Sequence, residues 1–382
     1  MRILHLAFED HRRPGSGGGS LRNREINRRL VARGHEVEVL AAAYRGCRSR
    51  DEDGVRYRHL GLPRGYVASL MTYQAALPAA AALAIGRLRP DLVVEEFAPP
   101  TTSVAVGHWT RRPTVGMVQG YFAREKARQY KLPLRPMLAL ERWGTRSHRH
   151  LIAVSDDLAR RLRAAAPTAS VTVVANGVDH AAVTTALATP DENPPASRSE
   201  LVFLGRLELD QKGVDLLLRA FAEIVRRRPT TRLTIAGDGK DARRVAQMVA
   251  ELGLETHVRL AGRVTGAQKW RMLAAAAVVL VPSRYETFGI TALEAMACGT
   301  PVVAYDIDCL RDIVDRGEGV LVEPFDTGAY ATAVLALLAD PTDRRRRGDR
   351  GRAAARAYDW DALCTAQEAV YELAGSTVRA GR

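Results

Sequence analysis

Two carboxylates with seven residues between them, Glu286 and Glu294, lie in the stretch VPSRYETFGITALEAMACGTPVV that runs from Val281 to Val303. An apolar run from Ala276 to Pro282 predicts a buried strand, and Ile290 to Cys298 predicts a helix closed by Gly299. Glu286 then falls in the loop and Glu294 one turn into the helix. Gly289 stands where the chain must turn, so the backbone N–H groups of Gly289, Ile290 and Thr291 point out of the helix start, with the positive end of its dipole behind them. That geometry favours a phosphate. Acids near a phosphate are costly unless a neutral group with hydroxyls lies beside it, and a ribose or a hexose is such a group. The ligand expected here is a sugar nucleotide.

Fixed positive charge is available upstream. Gly205-Arg206-Leu207 and then Lys212-Gly213 follow the apolar run Leu201 to Leu204, with five residues between the Arg and the Lys. Arg206 offers a planar fork to phosphate oxygens and Lys212 a point charge. Both project from the carboxyl end of a predicted strand, where open α/β sheets bind ligands.

The elements that must position these groups repeat one grammar. In the first half, short apolar runs alternate with helical patterns as βαβ units do in a parallel sheet. Strands are predicted at Ile3 to Phe8, Glu36 to Ala41, Val55 to His59, Asp91 to Glu95, Thr114 to Val118, Leu151 to Val154 and Val171 to Val174, with a helix from Ser20 to Arg33 stopped by Gly34. The Pro-rich polar stretch Leu187 to Ser199 reads as a linker. The grammar then restarts, with strands at Leu201 to Leu204, Arg232 to Ala236, Val258 to Leu260, Val302 to Tyr305 and Val320 to Val322, and helices at Val214 to Arg226 and Asp241 to Leu252. A last helix runs from Trp360 to Leu373.

At 382 residues the chain suits two domains, each with composition enough for its own core. The formal charge of +13 raises nucleic acid as a partner, yet only five of the 56 basic residues are Lys, and that Arg excess reads as a coding bias. Nucleic acid is therefore not expected, whereas an anionic lipid surface or an acidic substrate is still attracted. Cys47, Cys298, Cys309 and Cys364 are scattered, without metal-ligand spacing or His partners, as in a reduced cytosolic protein. Met1-Arg2-Ile3-Leu4-His5 enters a strand at once, so no secretory signal is expected and the localisation read is cytoplasmic, with peripheral contact at the inner face of a membrane. Gly65 to Gly86 carries no charge over a membrane-spanning length but is interrupted by Tyr73, Gln74 and Pro78, and is read as a packed crossover helix.

Other segments carry weaker signals. Gly15-Ser16-Gly17-Gly18-Gly19-Ser20 precedes the first helix, where the glycines admit close backbone approach and Ser20 can cap. A dinucleotide fingerprint loses its second anchor, because the second strand ends in Ala41-Ala42-Ala43 where a ribose-binding acid is wanted. Between Phe122 and His150 eight basic residues face two acids, interleaved with Tyr130 and Trp143, as a membrane-surface segment or a solvated helix face would be. Arg344 to Arg347, with Arg350 and Arg352, reads as a solvated basic face.

Ser283 to Val303 resembles the Glu-x7-Glu signature of the retaining glycosyltransferases of family 4; Ser283, Phe288-Gly289 and Cys298-Gly299-Thr300-Pro301 match around the two acids. The resemblance implies the GT-B fold, α/β with two Rossmann-like doubly wound domains facing each other across a cleft. On that template residues 1–186 form the acceptor domain, 187–199 the linker, 200–357 the nucleotide-sugar domain, and 358–382 a helix crossing back to the first domain, with Trp360 at an often aromatic position. The donor site it implies comprises Gly17, Gly18 and Gly19; Gly205, Arg206 and Lys212; Gly237, Asp238, Arg263 and Val264 around the nucleoside; and Glu286, Thr287, Phe288, Gly289, Ile290, Thr291 and Glu294. Arg206, Lys212 and Glu286 are the catalytic candidates, Glu286 holding the donor sugar's hydroxyls and Glu294 the ribose diol. Gln119, Tyr121 and Glu9 are assigned to the acceptor or sugar cleft, near Asp10-His11 and Glu95-Glu96-Phe97.

The activity implied is glycosyl transfer from a nucleoside diphosphate sugar, UDP or GDP type, to an acceptor hydroxyl of a glycolipid, polysaccharide or natural product, with retention and without a metal or other cofactor. One departure stands out: many relatives have a His after the fifth or so strand, and here Val118-Gln119-Gly120 occurs, whose amide cannot relay a proton. Two alternatives stay open, a pseudo-glycosyltransferase or phosphorylase using the same site, and a non-catalytic binder of an anionic surface.

Overall fold

The structure is a computed structural model that describes residues 1–97, 104–120, 123–124, 127, 133–188, 200–314 and 318–380, with backbone alone for 377–380. The chain divides into two compact units, Met1–Asn176 with Trp360–Arg382, and Gly177–Asp359.

The first unit is built on an eight-stranded sheet: β1 (Arg2–Leu6), β2 (Glu36–Ala42), β3 (Arg50–Glu52), β4 (Val55–Leu60), β5 (Leu92–Phe97), β6 (Thr114–Val118), β7 (His150–Ala153) and β8 (Ser170–Val173), in the order β3-β4-β2-β1-β5-β6-β7-β8. All neighbours are parallel except the β3–β4 pair, an edge hairpin that the polar sequence of β3 concealed. Central strands read as unbroken apolar runs because helices cover both faces. A right-handed crossover rule fixes which helix covers which face. The connection from β1 back to β2 puts helix Gly18–Ala32 on one side, while the forward connections put Tyr66–Leu88, the short turn Val106–His108 and Leu134–Thr145 on the other.

The second unit has six parallel strands, β9 (Glu200–Leu204), β10 (Arg232–Ala236), β11 (Val258–Gly262), β12 (Val278–Val281), β13 (Val302–Tyr305) and β14 (Gly319–Val322), in the order β11-β10-β9-β12-β13-β14. The order reverses between β9 and β12, which pair through Val278 with Leu201 and Val279 with Val202. Ligands bind doubly wound sheets outside the strand ends at such a reversal. Its core joins Leu201, Phe203, Leu217, Phe221, Leu280, Val303 and Tyr330, all buried.

Several expectations shift. The first unit ends at Asn176 rather than at residue 186, because helix His180–Ala188 packs on helix Gly266–Ala275, with Arg271 Nε donating to Ala186 O at 3.1 Å. Residues 187–188 belong to that helix, and the rest of the expected linker lies outside the described residues. The last helix runs on to Ala380. It is grouped with the first unit through a buried Trp360, Arg29 Nε to Asp361 Oδ1 at 2.8 Å, Arg33 Nη1 to Glu368 Oε2 at 2.7 Å, and the buried Arg22, whose Nη2 donates to Gln367 Oε1 at 2.6 Å.

Ser20 is not the cap: the helix starts at Gly18 with Gly17 ahead of it, and Ser20 Oγ donates to Gly17 O at 2.8 Å. The arginines of 344–352 are not simply solvated either. Arg344 donates to Leu337 O at 2.7 Å and Leu338 O at 2.9 Å, and Arg352 to Cys298 O at 3.3 Å, so they satisfy carbonyls at the ends of two helices.

Candidate functional site

In the second unit the expected donor residues gather at the carboxyl ends of β9 to β12. Gly289, with φ of +96°, turns the chain into helix Ile290–Ala297; a Cβ there would stand 2.4 Å from Leu310 Cδ2, so only glycine fits. Ala292 N and Leu293 N both donate to Gly289 O, at 2.9 and 3.2 Å. The earlier N–H groups of the helix therefore precede its first internal bond, the condition for anion binding. Thr291 Oγ1 donates to Leu204 O at 3.2 Å, pinning the helix start to the end of β9. Ile290 and Thr287 are partly exposed beside it, while Phe288 is buried with its ring 5.8 Å from that of Tyr358.

Each acid of the pair has a lysine. Glu286 Oε1 contacts Lys212 Nζ and accepts from Ser283 Oγ at 2.9 Å. Glu294, buried, accepts at Oε1 from Lys269 Nζ at 2.6 Å, and that ammonium also lies 3.8 Å from the centre of the Trp270 ring. Lys212 is thus held by an acid rather than standing as a free cation. Arg206, whose side chain is 43 % exposed, donates to Glu208 Oε1 and Gln211 Oε1, both at 3.0 Å.

Three glycine turns close the strand ends together. Gly205 N donates to Ala236 O at 3.0 Å and Gly237 N to Gly262 O at 2.7 Å. Gly237 has φ of +148° and its missing Cβ would fall 1.8 Å from Gly205 O, so the two loops touch backbone to backbone. Asp238 and Arg263 are exposed beside them and Val264 is buried.

Two supporting residues were missed in the sequence. Arg284 makes a forked pair with Asp215, at 2.7 and 2.8 Å, and also donates to Leu209 O at 2.6 Å, while Arg284 N donates to Gln211 O at 2.8 Å. It thereby clamps the loop after β12 to the loop after β9. Asp215's carboxyl is held below its usual range, burial opposing and the Arg284 guanidinium prevailing. Lys269 was missed because nothing in sequence registers a pairing across the 25 positions from 269 to 294.

In the first unit, Gln119, Glu9 and the Gly17–Gly19 turn meet at the reversal between β1 and β5. Gly17 N donates to Glu9 Oε2 at 3.2 Å. Gln119 Nε2 has three oxygens in reach, Gly19 O at 3.1 Å, Asn23 Oδ1 at 3.2 Å and Glu96 Oε1 at 2.5 Å, and Asn23 Nδ2 donates to Glu96 Oε2 at 2.7 Å. Burial pushes the Glu96 carboxyl up to about 7, helped by Glu9 and opposed by Asn23, Gln119 and Arg22. Alternation along β5 explains why its neighbours do not join: Glu95 faces the other side of the sheet, taking Val106 N at 3.0 Å and His148 Nε2 at 3.0 Å, and Phe97 packs on His148. Asp10 and His11 are likewise committed elsewhere, Asp10 to Arg50 at 2.6 and 2.8 Å and to His59 at 2.8 Å, His11 to Glu52 at 3.3 Å. Tyr121 lies outside the described residues.

Comparison with known proteins follows the same division. Residues 16–182 match the profile described as Glycosyltransferase Family 4, and residues 188–354 that described as Glycosyl transferases group 1. A glycogen synthase of Mycobacterium tuberculosis is 30% identical over 397 residues, covering 97% of this chain and 94% of that protein. A phosphatidyl-myo-inositol mannosyltransferase of the same organism is 37% identical over 232 residues, 59% of this chain and 60% of that protein. Among solved structures, a sucrose-phosphate synthase from Thermosynechococcus elongatus aligns with a TM-score of 0.82 at 21% identity over 99% of this chain and 100% of that one. Anabaena HepE in complex with UDP and glucose aligns with a TM-score of 0.74 at 20% identity over 97% of this chain and 99% of that one. With two Rossmann-like units and matches to both halves, the chain belongs to the family 4 glycosyltransferases of GT-B fold.

Proposed function

We propose that this glycosyltransferase moves a sugar from a nucleoside diphosphate sugar, UDP or GDP type, to an acceptor hydroxyl with retention at the anomeric carbon. The observation that carries the reading is the convergence, at the β9/β12 reversal, of Arg206, the Lys212–Glu286 pair, the helix start at Gly289 and the Lys269–Glu294 pair. The costly step is departure of the diphosphate. Arg206, Lys212 and the N–H groups of Gly289 to Thr291 put fixed positive charge where that leaving group develops negative charge, so the protein's cations supply what a metal otherwise would. Glu286, released from Lys212 by the phosphate, takes the donor sugar's hydroxyls; Glu294, oriented by Lys269, takes the ribose diol, with the turns at Gly205, Gly237-Asp238 and Arg263-Val264 around the nucleoside. The leaving phosphate itself accepts the acceptor's proton, so no separate base is needed.

Gly17 to Gly19 keep the phosphate role that the family likeness gives them, and Gln119 and Glu9 the acceptor or sugar side. The acceptor class is a glycolipid, polysaccharide or natural product. HepE was solved with UDP-glucose and the mycobacterial relative is named a phosphatidyl-myo-inositol mannosyltransferase, which favours these donor and acceptor classes.

The test is a thermal-shift screen against UDP-, GDP-, ADP- and dTDP-sugars with free nucleotides as controls, followed by NMR of the product's anomeric proton. Stabilisation by one base across several sugars, lost in Glu294→Ala, supports the donor site. No shift from any of them, or inversion in the product, overturns the reading. Gln119 favours a second reading, a pseudo-glycosyltransferase or phosphorylase. Donor consumption that requires inorganic phosphate, or a cyclitol acting as the coupled group, would establish it.

A further inference from the structure

The helix Tyr66–Leu88 departs from the packed crossover element expected of it. One stripe, Ser69, Tyr73, Leu77, Ala81 and Ala84, is buried against the sheet of the first unit. The opposite face is open to solvent and still carries no charge: Val67 and Met71 are more than half exposed and Leu83 is 76% exposed. Such a face is costly to leave in water, at a length of roughly 1.5 Å per residue along the whole helix.

Its neighbours on the same side of the sheet continue it. Val104 and Val106 pack into the cluster that this helix covers, and beyond them His108 lies 5.6 Å from the Trp143 ring of helix Leu134–Thr145. Trp109, Leu134, Leu140 and Trp143 are exposed there. Of the 14 exposed large apolar side chains among the described residues, nine belong to this one layer, so the clustering is not the ordinary scatter of a surface.

Within these segments the exposed charges have one sign. Arg64, Arg111, Arg135, Arg142 and Arg146 are exposed in or beside these segments, and Arg87 is neutralised by Glu38. The only acid in 62–88, 104–112 and 134–146 is Glu141, which is buried and accepts from Ala123 N at 3.1 Å.

We propose that this layer of the first unit seats the protein on an anionic lipid bilayer. Val67, Met71, Leu83 and the two tryptophans enter the headgroup boundary, and the arginines meet lipid phosphates. The helix lies on the surface and does not span it, because its buried stripe already holds the sheet. A second copy of the chain is the poorer occupant: a two-fold contact through this face sets the same arginines against each other. The surface stands independently of the glycosyl-transfer reading.

The full-length protein would be floated with vesicles of phosphatidylcholine alone and of phosphatidylcholine mixed with phosphatidylglycerol, whose headgroups give the negative surface potential of an anionic leaflet. Binding is expected only to the anionic vesicles, to weaken with added salt, and to fall roughly tenfold or more in Arg135→Gln/Arg142→Gln and in Val67→Asp/Met71→Asp. Donor-nucleotide affinity and thermal unfolding of the same variants serve as fold controls, since none of these residues belongs to the donor site. Absence of flotation, equal binding to neutral vesicles, or unchanged binding in both variants overturns the proposal. So does a dimer in lipid-free sedimentation equilibrium that Val67→Asp/Met71→Asp dissolves, which would make the face an interface between copies.

Discussion

Replacing Glu96 by Gln tests the electrostatics of the first unit directly. Glu96 is buried between Asn23 and Gln119, and its carboxyl is raised from 4.5 to about 7, burial being the largest cause. The folded state therefore keeps a proton that the unfolded chain releases. Stability from this group is complete below pH 4.5, falls as pH rises, and is lost once pH passes about 7. Integrating the proton difference from pH 5 to pH 8 gives a loss of about 2–3 kcal/mol, at 1.36 kcal/mol per pKa unit. Gln mimics the protonated acid and has no such dependence.

The assay is urea unfolding at pH 5, 6, 7 and 8 in a Trp270→Phe background. The remaining tryptophans, Trp109, Trp143 and Trp360, then all report the first unit. Relative to their difference at pH 5, wild type and Glu96→Gln are expected to diverge by about 2–3 kcal/mol by pH 8, the variant gaining in relative stability. Parallel pH dependences, with a constant difference between the two proteins, would refute the claim that Glu96 carries a proton near neutrality.

Arg206→Ala is expected to lower kcat by roughly 10² to 10³ with donor affinity little changed, the cost of about 3–4 kcal/mol for one lost preorganised donor; an unchanged rate refutes its role at the leaving phosphate. Glu294→Ala should instead raise the donor dissociation constant by about tenfold or more, read by calorimetry, because it removes a hydrogen bond of about 1.5–3 kcal/mol to a bound diol. Gly289→Ala forces both a positive φ and a 2.4 Å contact with Leu310, so the second unit should lose about 1–3 kcal/mol by thermal unfolding, together with nucleotide binding. Arg284→Met breaks the clamp on Asp215; that pair is partly solvated, so the stability loss should stay near 1 kcal/mol while kcat/KM falls further, and equal losses in the two would make Arg284 merely structural.

Much of the candidate donor site was legible because its signals are local. A glycine ahead of a helical run, acids at 286 and 294, and cations directly after an apolar strand are each fixed by neighbours within a few positions, so strand ends and helix starts fell where the pattern put them. The doubly wound class followed from the alternation itself. What the sequence left open depends on pairing between distant segments. The strand order that places β9 beside β12, the Lys269–Glu294 and Arg284–Asp215 pairs, and the arginines that close helix ends are contacts across tens of residues. Period-2 alternation puts Glu95 and Glu96 on opposite faces of the sheet, but only the helices on those faces decide that one braces a turn with His148 and the other holds Gln119. The uncharged run from Gly65 to Gly86 likewise announced a buried helix, since apolar composition records affinity for any nonaqueous surface; the sheet it packs on occupies just one of its faces and leaves the other exposed.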